Sequence, residues 1–166
     1  VWETMREQSY GRILMTSSST GLFGNFGQAN YGAAKLGLLG LAKTLSLEGA
    51  KYNVRVNTLA PTAATRMTED IFPPQMLAAF EPENVVPAAL FLVSEDAPTN
   101  AIVGAGAGVV QACYVTLTSG FALPKDDRTV AAVAANWDRI TDRTGEIVPQ
   151  SGAEQAMMIL SALQDR

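Results

Sequence analysis

Side chains that can carry out acid/base chemistry lie close together early in the chain. Tyr31 and Lys35 are four residues apart, so on a helix the two side chains lie on one face. A lysine ammonium beside a phenol favours the phenolate, which makes the tyrosine a usable acid or base near neutral pH. A serine at the end of the preceding strand could bond the oxygen whose charge changes. The alternative is an accidental surface pair, because this tyrosine–lysine spacing is common.

The elements that must position these side chains are predicted from the same stretch. Residues 12–16 form a compact, mostly apolar run that is long enough for a buried strand. The glycines that follow, Gly21, Gly24 and Gly27, predict tight turns in a loop. Asn30 is the predicted N-cap of the helix that carries the tyrosine and the lysine.

A second strand is predicted after this helix. The helix is expected to run from residue 31 to about residue 52, and residues 53–60 then form a strand that Pro61 closes. Strand, helix and strand make the crossover unit of a parallel sheet. The serine run and the Pro61 loop therefore fall at the carboxyl ends of two strands, the edge at which open α/β sheets bind ligands.

Residues 11–35, GRILMTSSSTGLFGNFGQANYGAAK, resemble the active-site segment of the short-chain dehydrogenase/reductase family. In that family a catalytic serine lies thirteen residues before the tyrosine of a Y-x-x-x-K motif, which places it at Ser18. Ser17 and Ser19 are then ordinary turn serines. The resemblance implies an α/β fold, namely the C-terminal half of a Rossmann-type doubly wound parallel sheet with a C-terminal helical extension.

The same resemblance implies an NAD(P)-dependent oxidoreductase whose catalytic residues are Ser18, Tyr31 and Lys35. Tyr31 transfers the proton, Lys35 supports it and holds the nicotinamide ribose, and Ser18 binds the reacting oxygen. Ser18 and Tyr31 are therefore the expected substrate contacts. In the family the loop after the second strand lines the nicotinamide. The expected cofactor contacts are Tyr31, Lys35, Pro61, Ala63, Ala64, Thr65 and Arg66. A structural ion pair is the alternative role for Arg66.

Two later features resemble a narrower branch of the family, the (3R)-hydroxyacyl-CoA dehydrogenase parts of peroxisomal multifunctional enzymes type 2 and their bacterial relatives. The loop PTAATRMT has Thr62 where the family commonly has glycine, and ANWDRITD followed by PQS resembles the branch's extension. The resemblance divides the chain into a reductase portion, residues 1–124, and the extension, residues 125–166. In the extension, residues 129–143 predict an amphipathic helix, and Ser151 with Glu154 predicts a capping box for a final helix.

The implied reaction interconverts (3R)-3-hydroxyacyl-CoA and 3-oxoacyl-CoA, a step of fatty acid metabolism. One alternative is reduction of another 3-oxoacyl thioester or ketone, and another is an inactive half-domain that serves as an oligomerisation module. NAD is the expected cofactor, with NADP as the alternative. The family's Gly-rich cofactor-binding half is not in this sequence, so the N-terminal half of the same enzyme is an expected partner, and this stretch alone is expected to bind cofactor weakly.

The segments between the second strand and the extension allow more than one interpretation. Residues 69–80 and 83–95 predict two short helices; in the family this region is a mobile lid, and packing on the sheet is the alternative. Residues 101–104 begin the last strand, which is expected to continue through residues 114–118. The glycines of residues 104–108 suggest a dinucleotide fingerprint, but a Gly-rich bend is the better interpretation because the following residues favour strand.

Composition narrows the class of protein further. The chain has 166 residues, a net charge of −4 and a pI near 4.8, which argues against nucleic acid or an anionic membrane as a partner. It has no histidine, which excludes His-dependent triads and His-ligated metals, and no metal is expected. One cysteine, Cys113, fits a reducing compartment, and no apolar run approaches the roughly 20 residues of a membrane span, so a cytoplasmic protein is expected.

The glycine- and alanine-rich helix after Tyr31 packs at a subunit interface in the family, which implies a homodimer or homotetramer.

Overall fold

The structure is a computed structural model that describes residues 1–65 and 73–164. It divides into two compact units, residues 1–113 and the residues from Tyr114 onward. The first unit contains strands β1 (Gly11–Thr16), β2 (Val54–Pro61), β3 (Ile102–Gly106) and β4 (Val109–Cys113). Its helices are α1 (Trp2–Glu7), α2 (Ser19–Phe23), α3 (Ala29–Gly49), α4 (Pro74–Ala79) and α5 (Val86–Leu92). The second unit contains α6 (Val130–Ala135), α7 (Trp137–Ile140) and α8 (Gly152–Gln164).

The four strands within the described ranges form one sheet in the order β1-β2-β3-β4. The first three strands are parallel, and β4 pairs with β3 in the antiparallel sense. Thr16 lies opposite Leu59, and Pro61 lies opposite Ala105, so the carboxyl ends of the three parallel strands meet at one edge of the sheet. This arrangement confirms the predicted α/β class with a largely parallel sheet.

Strand β2 is the centre of the first unit because both of its faces are covered. Val54 and Val56 pack with Ala42 of α3 on one side. Leu59 packs with Leu92 of α5 on the other side. Alternate residues of a strand point to opposite faces, so these contacts place helices on both sides of the sheet. A strand covered on both faces is buried along nearly its whole length, and in β2 the partly exposed residues are Arg55 and the terminal Pro61.

A buried asparagine in β2 fixes the segment that leads into β3. Asn57 has 0% of its surface exposed. Its Nδ2 donates to the carbonyls of Leu92 at 3.0 Å and Pro98 at 2.7 Å, and its Oδ1 accepts from the Ala101 N–H at 3.0 Å. The side chain therefore joins the end of α5, the following loop and the start of β3, and its polar atoms are paired as burial requires.

The Gly-rich run of residues 104–108 contains the hairpin turn between β3 and β4. Gly106 pairs with Val109, so Ala107 and Gly108 form a two-residue connection between β3 and β4. Both have positive φ, 51° and 76°, the conformation of a type I′ turn, whose twist matches that of the flanking strands. The predicted bend is confirmed and the dinucleotide-fingerprint alternative is wrong, since an antiparallel strand follows where that motif needs a helix.

The predicted continuation of the last strand through residues 114–118 is wrong. Strand β4 already ends at Cys113, and beyond it Leu117 makes an isolated bridge with Ile147. The hairpin supplies the physical reason, since the chain reverses at residue 107 and pairs with β3 before it reaches residue 114.

Helix α3 begins earlier than predicted. The Gln28 carbonyl accepts from the Gly32 N–H at 2.8 Å, so Asn30 lies inside the first turn and the prediction that it is the N-cap is wrong. The helix ends at Gly49, and a 3-10 turn over Ala50–Tyr52 leads to β2. A Cβ atom at Gly49 would lie 2.6 Å from the Val54 carbonyl oxygen, which shows why the return to the sheet needs glycine.

The second unit consists of short helices with local caps. The predicted helix 129–143 is divided at Asn136, whose Nδ2 donates to the Ala132 carbonyl at 2.8 Å and so ends α6. Thr129 caps α6 by accepting from the Ala132 N–H at 3.1 Å. Near the start of α8, the Glu154 carboxylate accepts from the Gln150 N–H at 3.0 Å. The predicted capping box pairs Glu154 with Ser151, so the donor is the residue before the predicted one. The domain boundary predicted between residues 124 and 125 stays a prediction.

Short helices also follow β2, as predicted. In the described part of this region, α4 is followed by a 3-10 turn over Pro82–Val85 and then by α5, which ends at Leu92. Residues 69–72 of the first predicted helix lie outside the described residues. Leu92 and Val85 belong to the core that covers β2, so the second helix packs on the sheet. No helix in the described ranges is both long enough and apolar enough to cross a membrane.

Candidate active site at the carboxyl edge of the sheet

Two residues after the end of β1, the chain forms the short helix α2. Ser18 has an extended backbone, with φ −160° and ψ 154°, and caps α2 by accepting from the Thr20 N–H at 3.2 Å. The predicted loop therefore contains one helical turn, because the serine side chain satisfies an N–H of its first turn. Acting as an acceptor in the cap leaves the Ser18 hydroxyl proton able to donate to a bound oxygen.

Glycine at position 21 allows α2 to pack directly on α3. A Cβ atom at Gly21 would lie 2.8 Å from the Lys35 Cβ and 3.0 Å from its carbonyl carbon. The prediction that Gly21 serves a turn is therefore wrong, since it lies inside α2 and serves a close approach. Gly24 and Gly27 have φ values of 79° and 76°, as the predicted turns require.

Tyr31 and Lys35 lie side by side in the first turns of α3. The Lys35 Nζ is 5.7 Å from the centroid of the Tyr31 ring. The same Nζ donates to the Thr16 carbonyl, the last of β1, at 2.9 Å. Tyr31 is 37% exposed, so its phenol remains open to a ligand. The structure thus brings the tyrosine and the lysine together beside the strand end from which Ser18 follows.

Ser17 has more partners than a turn serine. It is 2% exposed, and its N–H donates to the Leu59 carbonyl of β2 at 2.8 Å. Its Oγ donates to the Lys35 carbonyl at 2.8 Å. The prediction of an ordinary turn serine is therefore wrong. No local signal distinguishes Ser17 from its neighbours, because both partners lie far along the chain.

The loop after β2 is held at the same edge. The Thr62 N–H donates to the Ala105 carbonyl at 2.8 Å, and the Ala64 N–H donates to the Phe80 carbonyl at 2.6 Å. A Cβ atom at Gly106 would lie 2.6 Å from the Thr62 carbonyl oxygen and 3.1 Å from the Phe80 ring, so this glycine lets the loop close over β3.

The structure describes most of the predicted cofactor loop. Pro61 is the last residue of β2, and Ala63, Ala64 and Thr65 follow it at the edge where Tyr31 and Lys35 lie. Ala63 is partly buried against the core beneath the loop. Arg66 lies outside the described residues, so both of its alternative roles stay predictions.

Comparison with known proteins agrees with this architecture. Residues 1–75 match the family model described as short chain dehydrogenase. This stretch, which runs from α1 through β2, is therefore similar to the short-chain dehydrogenase/reductase family. A short-chain type dehydrogenase/reductase of Mycobacterium tuberculosis is 52% identical over 145 residues, which are 87% of this chain and 50% of that protein.

The similarity to the narrower branch extends through the whole chain. Mouse peroxisomal multifunctional enzyme type 2 is 44% identical over 165 residues, 98% of this chain and 22% of that protein. The structure of the full-length Drosophila melanogaster enzyme of that name superposes with a TM-score of 0.87 at 34% identity, covering 99% of this chain and 30% of that chain. An acetoacetyl-CoA reductase of Acinetobacter is 46% identical over 107 residues, 57% of this chain and 42% of that protein. The predicted resemblance is confirmed, and the chain spans half or less of the length of these relatives.

Proposed function

We propose that this chain supplies the catalytic half of an NAD(P)-dependent oxidoreductase that interconverts a secondary alcohol and a ketone. The observation that carries the proposal is the placement of Tyr31 and Lys35 on one face of α3, with the Lys35 ammonium bonded to the last carbonyl of β1. Ser18 lies two residues after Thr16 and is the N-cap of α2. A proton donor, a cation and a hydroxyl at one sheet edge suit a reaction in which an oxygen gains or loses charge.

Each side chain has a defined role in this proposal. The Ser18 hydroxyl donates to the substrate oxygen and holds it in place. Tyr31 gives its phenolic proton to that oxygen in the direction of reduction and takes it back in the direction of oxidation. Lys35 stabilises the phenolate by its positive charge, and it is already oriented by the Thr16 carbonyl.

The residues present fit the nicotinamide end of the cofactor. Lys35 offers ammonium donors suited to ribose hydroxyls, and the loop from Pro61 to Thr65 lies along the same edge. NAD(P) supplies or accepts the hydride when bound. The choice between NAD and NADP stays open; NAD is the one we predict.

The substrate we propose is a 3-oxoacyl or (3R)-3-hydroxyacyl thioester of coenzyme A. Support comes from the names of the similar proteins, which include an acetoacetyl-CoA reductase and peroxisomal hydratase-dehydrogenase-epimerases. Reduction of another ketone is the alternative. Several of these relatives are named peroxisomal, so the cytoplasmic location expected from the sequence stays a prediction.

The test of substrate and cofactor uses the native polypeptide that contains this sequence. Turnover is measured with (3R)- and (3S)-hydroxybutyryl-CoA, each with NAD and with NADP. Oxidation of the (3R) thioester with NAD is the expected result. Turnover of the (3S) thioester alone would contradict the proposed stereochemistry, and cofactor binding without turnover of either would contradict the substrate class.

The test of the catalytic role replaces Tyr31 by Phe. Loss of the phenolic proton should lower kcat by at least about 100-fold, within the range expected for a general acid–base group. Tyr10→Phe is the matched control, because Tyr10 is similarly exposed, 40% against 37%, and precedes β1 at the opposite edge of the sheet. Equal activity of the two variants would remove Tyr31 from the mechanism.

The outer face of α3 favours a second role, self-association with another copy of this chain. Leu36, Leu41 and Leu47 are each about half exposed, and Cβ atoms at Gly37 and Gly40 would meet no neighbour. Apolar side chains beside open glycines allow another helix to approach closely. We expect a homodimer or homotetramer by light scattering, and Leu41→Glu should dissociate it whereas Val130→Glu should not. Monomer at micromolar concentration in the unaltered protein would contradict this role, and with it the alternative of a purely oligomerising module.

A further inference from the structure

We propose that Ser17 is a positioning residue that holds Lys35 in place for the reaction. This inference rests on the proposed function, since it assigns how the catalytic lysine is oriented. Ser17 contacts neither the phenol of Tyr31 nor the candidate cofactor loop in the contacts described above. It acts through Lys35 by way of a hydrogen bond from its buried side chain.

Two contacts between the end of β1 and Lys35 form a clamp. The Lys35 Nζ donates to the Thr16 carbonyl at 2.9 Å, and the Ser17 Oγ donates to the Lys35 carbonyl at 2.8 Å. Thr16, the last residue of β1, thus holds the Lys35 side chain, and Ser17, the next residue, holds the Lys35 backbone. A lysine side chain has several rotatable bonds, so fixing both of its ends removes much of its freedom to move away from Tyr31.

Ser17 is itself fixed firmly enough to hold another residue. Its N–H is bonded to the Leu59 carbonyl at 2.8 Å, which extends the β1–β2 pairing by one residue. With 2% of its surface exposed, its hydroxyl has little access to water as an alternative partner. Gly21 of α2 also approaches Lys35 closely, since a Cβ atom at Gly21 would lie 2.8 Å from the Lys35 Cβ. The end of β1, Ser17 and α2 therefore all contact Lys35.

The chain contains a matched control for the removal of this hydroxyl. Ser46 is also buried, at 3% exposure, and its Oγ donates to the Lys43 carbonyl of α3 at 2.7 Å. Ser17→Ala and Ser46→Ala each remove one buried hydroxyl bonded to a carbonyl of the same helix. They differ in the lysine whose carbonyl loses its partner, Lys35 or Lys43. An effect on activity that comes only from lost stability should therefore appear in both variants, whereas an effect through Lys35 should appear only in Ser17→Ala.

The experiment compares steady-state kinetics of the two variants in the native polypeptide, per folded molecule. Ser17→Ala should lower kcat about tenfold and raise KM for the cofactor, with KM for the acyl thioester unchanged, because a small displacement of a catalytic group is costly. Ser46→Ala should lower the melting temperature to a similar extent but leave these constants unchanged. Ser17→Cys, which preserves the volume and a weak donor, should have intermediate kcat and is the variant to use where Ser17→Ala does not fold. Kinetic constants of the Ser17 variants equal to those of Ser46→Ala would overturn the proposal.

A second measurement needs no turnover. Lysine acetylation by a small reagent is followed residue by residue by mass spectrometry, with Lys43 and Lys51 as internal references. Ser17→Ala should accelerate acetylation of Lys35 severalfold relative to these references, and Ser46→Ala should not. If the unaltered protein is inactive on every thioester, the proposed function fails and this measurement alone decides the role of Ser17. Equal labelling of Lys35 in the two variants would then overturn it.

Discussion

The two units of the molecule are stabilised in different ways. Residues 1–113 are built around β2, which is buried between helices on both faces. In the second unit Ala132 is the buried apolar residue among those that the structure describes. Its elements are held by caps and short-range pairs such as Arg143 with Glu146. The difference teaches that a packed core supports the unit that carries the candidate site, whereas the second unit relies on caps, ion pairs and hydrogen-bonded contacts such as the Leu117–Ile147 bridge.

The largest expected effect breaks the network inside the first unit. Asn57→Ala removes the three hydrogen bonds of a buried side chain and should lower the free energy of unfolding by about 3 kcal/mol or more, at about 1 kcal/mol for each lost partner. Asn136→Ala, which removes one partly buried bond in the second unit, should cost about 1 kcal/mol. Urea denaturation measures both. Similar losses would contradict the contrast between the units.

The next effect concerns the contact between α2 and α3. Gly21→Ala places a Cβ atom 2.8 Å from the Lys35 Cβ, so we expect overpacking to cost about 1–3 kcal/mol and turnover to fall. Gly37→Ala is the control, with both variants made in the Leu41→Glu background so that self-association does not contribute, because its Cβ would meet no neighbour within the chain and alanine favours a helix interior by up to about 1 kcal/mol. Opposite shifts in melting temperature are expected. A stabilised and fully active Gly21→Ala protein would show that α2 does not position the lysine.

A smaller effect is expected from a cap in the second unit. Thr129→Ala removes the side chain that accepts from the Ala132 N–H and should destabilise α6 by about 1 kcal/mol. Amide hydrogen exchange should become faster over residues 130–135 and stay unchanged in β2. Faster exchange in both regions would mean that the two units are energetically coupled.

The smallest expected effect depends on pH. The Arg143 guanidinium donates to the Glu146 carboxylate and holds its pKa below the usual range. A lowered folded-state pKa gives stability that is present above the unfolded pKa and is lost as pH falls through the folded pKa. Protection of the Leu117–Ile147 bridge should therefore weaken on acidification below about pH 4, near the ordinary pKa of a glutamate.

Asp142 needs a control in that experiment. Its pKa is also lowered, by the hydrogen bond from the Thr144 N–H, so it titrates in the same acidic direction. Glu146→Gln should reduce the pH dependence of the bridge, while Asp142→Asn should leave the Glu146 contribution in place. High salt should weaken the Glu146 effect because the pair is partly exposed. An unchanged acid response in Glu146→Gln would assign it to another group.

Much of the first unit could be predicted because its signals are local. The mostly apolar run of β1, the strand-forming residues of β2 that Pro61 closes, and the long helix between them are visible in the residue pattern, and they imply parallel strands once the connection is a helix. The four-residue spacing of Tyr31 and Lys35 likewise predicts a shared helix face, and the structure places the two side chains together. The hairpin was predictable in part, since the glycines indicated a bend but not the antiparallel strand that follows it.

Other features could not be read from local pattern. Asn30 is a reasonable cap by residue type, but the chain after α2 already enters a helix at Ala29. The predicted helix of residues 129–143 has consistent apolar spacing, yet Asn136 folds back to the Ala132 carbonyl and divides it. In each case a polar side chain could satisfy more than one backbone group, and the surrounding chain selects the partner.

By itself the sequence determined the residue types and the spacing of the site: a serine after a strand, and a tyrosine and a lysine one helical turn apart. These depend on backbone geometry that a few consecutive residues define. Only the tertiary structure decided which residues hold the lysine. Ser17 meets the Lys35 carbonyl eighteen residues away and Gly21 meets the Lys35 Cβ across a helix contact, and such partners are selected by packing between elements rather than by any local pattern.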